Sequence, residues 1–238
     1  MVALPAVNDP TLEAVDRAIE ARAAAETPRP YLGMSQLGEP CERRLWYSFR
    51  WAVPATLPAA TLYRFEDGFR VEEVIAQRLR LVRGVTLHTL DPVTGRQFEF
   101  VDVGGHLRGH VDGLIRGLLQ APQAWHVWEC KATAENHQAK LIALKAELGE
   151  KAALAAWNPT YYAQAVLYMH YAEVPRHYLT CASPGARWTV SVRTEANPET
   201  VAQLRAKAER IITSNEPLPQ LSADPTHWQC KGCPAQAV

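Results

Sequence analysis

The segment Trp125-His126-Val127-Trp128-Glu129-Cys130-Lys131 constrains this chain more than any other. It is rich in β-branched and aromatic residues and reads as a strand. Side chains alternate faces along a strand, so Glu129 and Lys131 share one face and Cys130 takes the other. A carboxylate and an ammonium at i and i+2 of a strand end can serve one reaction centre. The acid can hold a divalent metal, and the lysine can orient a water or steady a developing anion. The preceding strand contains Gly109-His110-Val111-Asp112, with Asp112 set in an apolar run between Val111 and Leu114. A carboxylate buried there is costly unless it is paired or metal-bound. Hairpin pairing brings Asp112 beside Glu129. The two repel, a cation relieves the repulsion, and hard oxygen ligands suit Mg²⁺ or Mn²⁺.

The rest of the chain frames these strands. Helices are expected over 10–26, from Ser35 through Trp46, over 60–82 (ended by Gly84), over 134–155, from Pro159 to about Tyr171, and over 198–214. Strands are expected at 98–103, 107–115 and 125–131, as a three-stranded meander, and at 177–182 and 188–194. Pro54 and Pro58 mark a loop. The alternation predicts an α/β fold with a mixed sheet flanked by helices.

Two helices carry further candidates. In 60–82 the apolar residues Phe65, Phe69, Ile75 and Leu79 share a face, and Glu72 lies on it. Its neighbour Glu73 joins the polar stripe Glu66, Arg70, Gln77 and Arg80. Glu72 is therefore the anomalous acid. In the helix after Pro159, Gln164 and Tyr168 stand four residues apart on one face, with Tyr161. Such a stripe can hydrogen-bond a phosphate or base, or stack on it.

The ordered set Glu72, Gly109-x-x-Asp112, Glu129-x-Lys131 and Gln164-x-x-x-Tyr168 resembles the PD-(D/E)XK nucleases. It is most similar to the RecB-type branch of CRISPR-associated and phage exonucleases. The similarity covers roughly residues 31–238. It includes Ser35-Gln36-Leu37-Gly38 and Cys41-Glu42-Arg43-Arg44-Leu45-Trp46-Tyr47, which looks like that branch's first-cysteine segment. The run from Pro159 to Met169 looks like phage members, as does a Glu rather than a His at position 72. The resemblance implies a restriction-endonuclease-like core over 31–216, an N-terminal helical extension (1–30) and a cysteine tail (217–238). It implies metal ligation by Glu72, Asp112 and Glu129 with the Cys130 carbonyl. Lys131 would orient the attacking water, and Gln164 and Tyr168 would contact DNA. The implied reaction is phosphodiester hydrolysis with Mg²⁺ or Mn²⁺, as a DNA exonuclease on single strands or ends, of a phage recombination or replication type. End-processing in CRISPR spacer capture and a non-catalytic DNA-binding module are the alternatives. Recombination or replication proteins are the expected partners beside DNA.

Five cysteines without a signal peptide make a poor disulfide framework. Cys230 and Cys233 have metal-ligand spacing. In relatives with iron–sulfur clusters, one early and three late cysteines hold the cluster. Cys41, Cys230 and Cys233 match three of these, and the fourth falls just beyond Val238. A 4Fe–4S cluster is the expectation from the resemblance, and a structural Zn²⁺ completed by His227 is the alternative. Cys130 and Cys181 are expected as buried small hydrophobes.

Composition enters as a set of exclusions. Lys and Arg number 25 against 25 Asp and Glu, so the chain is no uniformly basic nucleic-acid coat. A local basic patch of Arg43, Arg44, Lys140 and Lys145 is expected to face DNA. No apolar run is long enough to span a membrane. Met1–Pro10 lacks signal-peptide features, so a cytoplasmic protein is expected.

Overall fold

The computed structural model describes residues 9–53, 57–231 and 233–236. The expectations placed on Pro54, on the first eight residues and on Val238 lie outside them.

The chain opens with α1 (Pro10–Ala24), where the Asp9 carboxylate accepts from the Thr11 and Leu12 amides. Then follow β1 (Leu32–Gly33), α2 (Glu42–Phe49), α3 (Ala59–Arg80), β2 (Thr86–His88), β3 (Glu99–Asp102), β4 (Leu107–His110), β5 (Gly113–Arg116) and β6 (His126–Ala132). The remaining elements are α4 (Glu135–Leu148), α5 (Glu150–Trp157), α6 (Pro159–Tyr171), β7 (Arg176–Ala182), β8 (Thr189–Glu195) and α7 (Pro198–Thr213).

The strands form two sheets, ordered β1-β4-β3 and β2-β5-β6-β7-β8. In the larger sheet β6 and β7 pair in parallel, whereas β2/β5, β5/β6 and β7/β8 are antiparallel. A parallel pair needs a long crossover, which α4, α5 and α6 supply. The crossover puts these helices on one face of the sheet, over Leu179, Cys181 and Val192. Helix α3 covers the other face, where Val71, Ile75 and Ala76 pack on Ile115, Trp128 and Cys130. The smaller sheet shares its core with α2, α6 and α7. Among the described residues no helix is long and apolar enough to cross a membrane.

The structure departs from the sequence expectation in five places. The run 107–115 is not one strand: it breaks at Val111–Asp112, and its halves join different sheets. The meander is thereby divided between the sheets. A glycine stands on each side of the break, where a neighbour comes close. A Cβ on Gly109 would lie 2.6 Å from the Tyr168 ring, and one on Gly113 would lie 2.6 Å from the His88 carbonyl oxygen. The helix expected from Ser35 begins instead at Glu42, with Cys41 at the N-cap position but making no side-chain cap bond, after a 3₁₀ turn at Met34–Gln36. Gly38 is needed there, because its Cα side abuts the α6 start so closely that a Cβ would meet Thr160 Cα at 2.3 Å. The helix expected over 134–155 is two, divided at Gly149 with φ +81°. β1 and β2 are too short to show a period. Finally, Phe65 and Phe69 are not on the buried face of α3: they are 52% and 74% exposed. The buried face is formed by Val71, Ile75 and Ala76.

Candidate active site

Four charged side chains come together where β6 runs on past the end of β5, still paired with β7. Glu129 is 3% exposed, and its Oε1 accepts from Lys131 Nζ at 2.5 Å and from Gln164 Nε2 at 2.7 Å. The strand alternation read from the sequence thus holds: Glu129 and Lys131 reach the same side, and α6 lies across it. Asp112 stands at the gap between β4 and β5. Continuing the β5/β6 register from Gly113↔Trp128 sets it opposite Glu129. Its Oδ2 accepts from the Cys130 amide at 2.8 Å, so a side chain takes the place of a ladder carbonyl. Glu72 comes from α3 and is partly buried, while Glu73 is exposed.

The electrostatics are those of crowded acids. Burial first, and Asp112 second, push the Glu129 carboxyl up to about 8, although Lys131 opposes the shift. Burial and then Asp112 raise Glu72 to about 7. Burial also raises Asp112, against the pull of Lys131 and the Cys130 amide. Burial pulls the Lys131 pKa down, but Glu129 and Asp112 outweigh it and keep the ammonium protonated. One ammonium cannot balance three carboxylates. Glu129 Oε2 is moreover buried with no hydrogen-bond partner. A shared cation satisfies both conditions, and an all-oxygen donor set suits a hard one. The side chains do not form a ready chelate: among the described residues no three His, Cys, Asp or Glu groups are gathered tightly enough to hold a metal ion. The site opens to solvent beside Lys131, whose side chain is 21% exposed.

The residues expected to contact DNA fall into three groups. Gln164 and Tyr168 are only 5% and 2% exposed, so they touch no open surface as placed. Gln164 instead fixes Glu129, and the Tyr168 ring lies over Gly109. The Gln/Tyr face was legible, but the partner of Gln164 is the buried Glu129 carboxylate. Tyr161 borders the opening, with Lys131 Nζ 5.4 Å from its ring centre. Arg43 donates to the Leu218 carbonyl, and Arg44 pairs with Glu39 at 3.0 Å. Lys145 is committed to the Ser191 carbonyl at 2.7 Å and to Glu150, tying α4 to β8. Lys140 is exposed. The four basic residues thus do not act as one free patch, because carbonyls and acids near three of them already take their donors.

Cys41, Cys230 and Cys233 line one cavity of about 150 Å³, together with Arg43 and Arg44. The tail therefore does return to the start of α2. His227 does not line this cavity, and its Nδ1 faces the Gln229 amide at 3.4 Å. A neighbouring cavity of about 430 Å³ shares Arg44 and Ala235 with it and reaches Thr160, but holds none of the four charged residues of the site. Cys130 and Cys181 are buried, as their apolar surroundings predict.

No protein-family model matches the chain, and no curated protein matches it in sequence. Solved structures do match. An alkaline exonuclease (LHK-Exo) from Laribacter hongkongensis superposes with a TM-score of 0.50 at 13% identity, over 82% of this chain and 90% of that one. LHK-Exo in complex with dAMP gives 0.51 at 13% identity, over 82% and 89%. A phage related exonuclease from Haemophilus somnus 129PT gives 0.52 at 10% identity, over 76% and 91%. The chain thus shares the mixed α/β, restriction-endonuclease-like fold of these structures.

Proposed function

We propose that this chain is a metal-dependent deoxyribonuclease, an exonuclease that hydrolyses phosphodiester bonds of single-stranded DNA or DNA ends. The observation that carries the reading is the convergence of Glu72, Asp112, Glu129 and Lys131, with an unpartnered Glu129 oxygen among them. That convergence sits on a fold shared with exonucleases. Glu72, Asp112 and Glu129, with the Cys130 carbonyl, would hold Mg²⁺ or Mn²⁺. The ion would lower the pKa of a nucleophilic water and neutralise charge on the scissile phosphate. Lys131, kept protonated by its acidic neighbours, would orient that water and steady the anion that develops. Gln164 would keep Glu129 in place through its amide donor.

The test is hydrolysis of end-labelled linear DNA against a circular control. The expected result is degradation of linear substrate with Mg²⁺ or Mn²⁺ and none in chelator. The same ions should raise the melting temperature, because binding to the folded state alone stabilises it. Neither hydrolysis nor a thermal shift with any divalent ion would remove the reading.

The reading extends to the cysteine cavity. Cys41, Cys230 and Cys233 line one cavity without being gathered into a chelate, and would supply three thiolates to an iron–sulfur cluster, with structural zinc as the alternative. Anaerobically purified protein is expected to be brown and to carry iron. A colourless protein with stoichiometric zinc would favour the alternative, and one without either metal would exclude both.

A further inference from the structure

Helix α3 delivers Glu72 to the site, yet the turns just before it present aromatic rings to water. Phe69 is 74% exposed and Phe65 is 52% exposed, and neither joins a described core cluster. At 3.6 residues per turn they lie roughly 60° and 20° from Glu72 around the helix axis. Both rings are therefore on the side of α3 that carries the acid. Helix α1 does not cover them. Its contacts reach Ala59 through Glu20, Tyr63 through Asp16 and Glu66 through Arg22. Those three positions lie roughly 120° to 180° from Glu72, on another side of the helix. Two neighbouring rings left in water forgo burial that would stabilise the fold, which marks a binding surface.

We propose that Phe65 and Phe69 are substrate-positioning residues that stack the bases of a single DNA strand whose phosphate lies at the acid centre. This rests on the nuclease reading and narrows its substrate to unpaired nucleotides. Along the axis, Phe69 lies about 4.5 Å and Phe65 about 10.5 Å from Glu72, or roughly one and three base steps of 3.4 Å. Charge fixes which way the strand faces. On the flank of these turns away from Glu72, Glu66 and Asp67 hold Arg70, so that guanidinium is not free to draw a phosphate towards the rings. Lys131 and the cation-binding acids form the side that suits the phosphate. The aromatic side is left for the bases. Paired bases already stack on their neighbours inside a duplex and cannot offer their faces to these rings. Unpaired ones can, with little regard to sequence.

The test is steady-state hydrolysis of a single-stranded oligonucleotide, with a second readout from 2-aminopurine placed at its terminal nucleotides. Phe69→Ala should raise KM roughly tenfold, and Phe69→Tyr should restore it to within about twofold. Phe65→Ala should raise KM less. The pH profile of kcat and the melting temperature should stay as in the wild type, since the ring is exposed. Quenching of 2-aminopurine on binding should be lost in Phe69→Ala. Unchanged KM and unchanged quenching in both alanine variants would overturn the proposal and leave the nuclease reading standing. So would a change of oligomeric state with KM unaltered, which would assign the rings to a second copy of the chain. If the wild type hydrolyses no DNA, the nuclease reading falls, and the quenching, which needs only binding, still decides the platform.

Discussion

Glu129→Gln should lower DNA hydrolysis by at least about three orders of magnitude, or roughly 4 kcal/mol of barrier. In the absence of divalent metal it should also stabilise the fold at neutral and higher pH. Both effects have one origin. Gln keeps the shape of Glu129 and can still accept from Gln164 and Lys131, so packing is preserved. It removes one negative charge from a buried trio. The charge is what would bind a cation, and it is also what the metal-free fold tolerates worst. The Glu129 carboxyl has a folded pKa of about 8 against an ordinary value of 4.5. A raised folded pKa means that the fold holds the proton more tightly than the unfolded chain does. That stabilisation is full below the ordinary value and is lost as pH rises through about 8. In chelator, the wild-type melting temperature should fall between about pH 5 and pH 8, and the fall should be shallower in the variant. Saturating Mg²⁺ should reverse the order of the two proteins. Retained hydrolysis, or parallel melting profiles in chelator, would show that Glu129 does not have this role.

Trp128→Ala should destabilise the protein by about 3–5 kcal/mol in urea unfolding. The indole is completely buried between α3 and the large sheet. Its Nε1 donates to Thr180 Oγ1 at 3.1 Å, and that hydroxyl reaches the Glu129 carbonyl at 3.3 Å. The ring thus fastens β6 to β7 at the residue before Glu129. Truncation leaves a large cavity against Val71, Ile75 and Ala76, and rigid elements on both sides limit collapse. Trp128→Phe should recover most of the loss, short of about 1 kcal/mol for the missing hydrogen bond. A cost under about 1 kcal/mol for the alanine variant would be incompatible with this packing.

The acids and Lys131 were legible because each breaks a local rule. Asp112 and Glu129 put charge into apolar strands, and Glu72 puts it at the edge of a buried helix face. The alternation of β6 then fixed which residues share a side. What stayed hidden depended on contacts across the chain. The glycines on either side of the Val111–Asp112 break answer to the Tyr168 ring and the His88 carbonyl, which arrive from distant elements. Gln164 and Tyr168 were recognised by spacing, but spacing cannot say whether a polar face meets solvent or an acid. Lys145 looked free for the same reason: its partner, the Ser191 carbonyl, lies 46 residues away. Phe65 and Phe69 were misplaced by periodicity, which assumes that a helix is covered along its whole length. The sheet under α3 meets only the half that begins near Val71.

The parallel pairing of β6 with β7 also sets an order of assembly. The hairpin of β5 and β6 can form early, while Asp112 and Glu129 are still hydrated and fully ionised. Only when α6 arrives and β7 adds beyond it, some fifty residues later in the chain (Glu129 pairs with Leu179), are those charges stripped of water. Contacts between such distant segments are the slow ones in folding. The electrostatic penalty therefore falls on the docking of α6 and β7, a late step compared with the hairpin. A divalent ion captured by the half-built hairpin would lower that barrier, so the ion that would serve the chemistry would serve first as a folding aid.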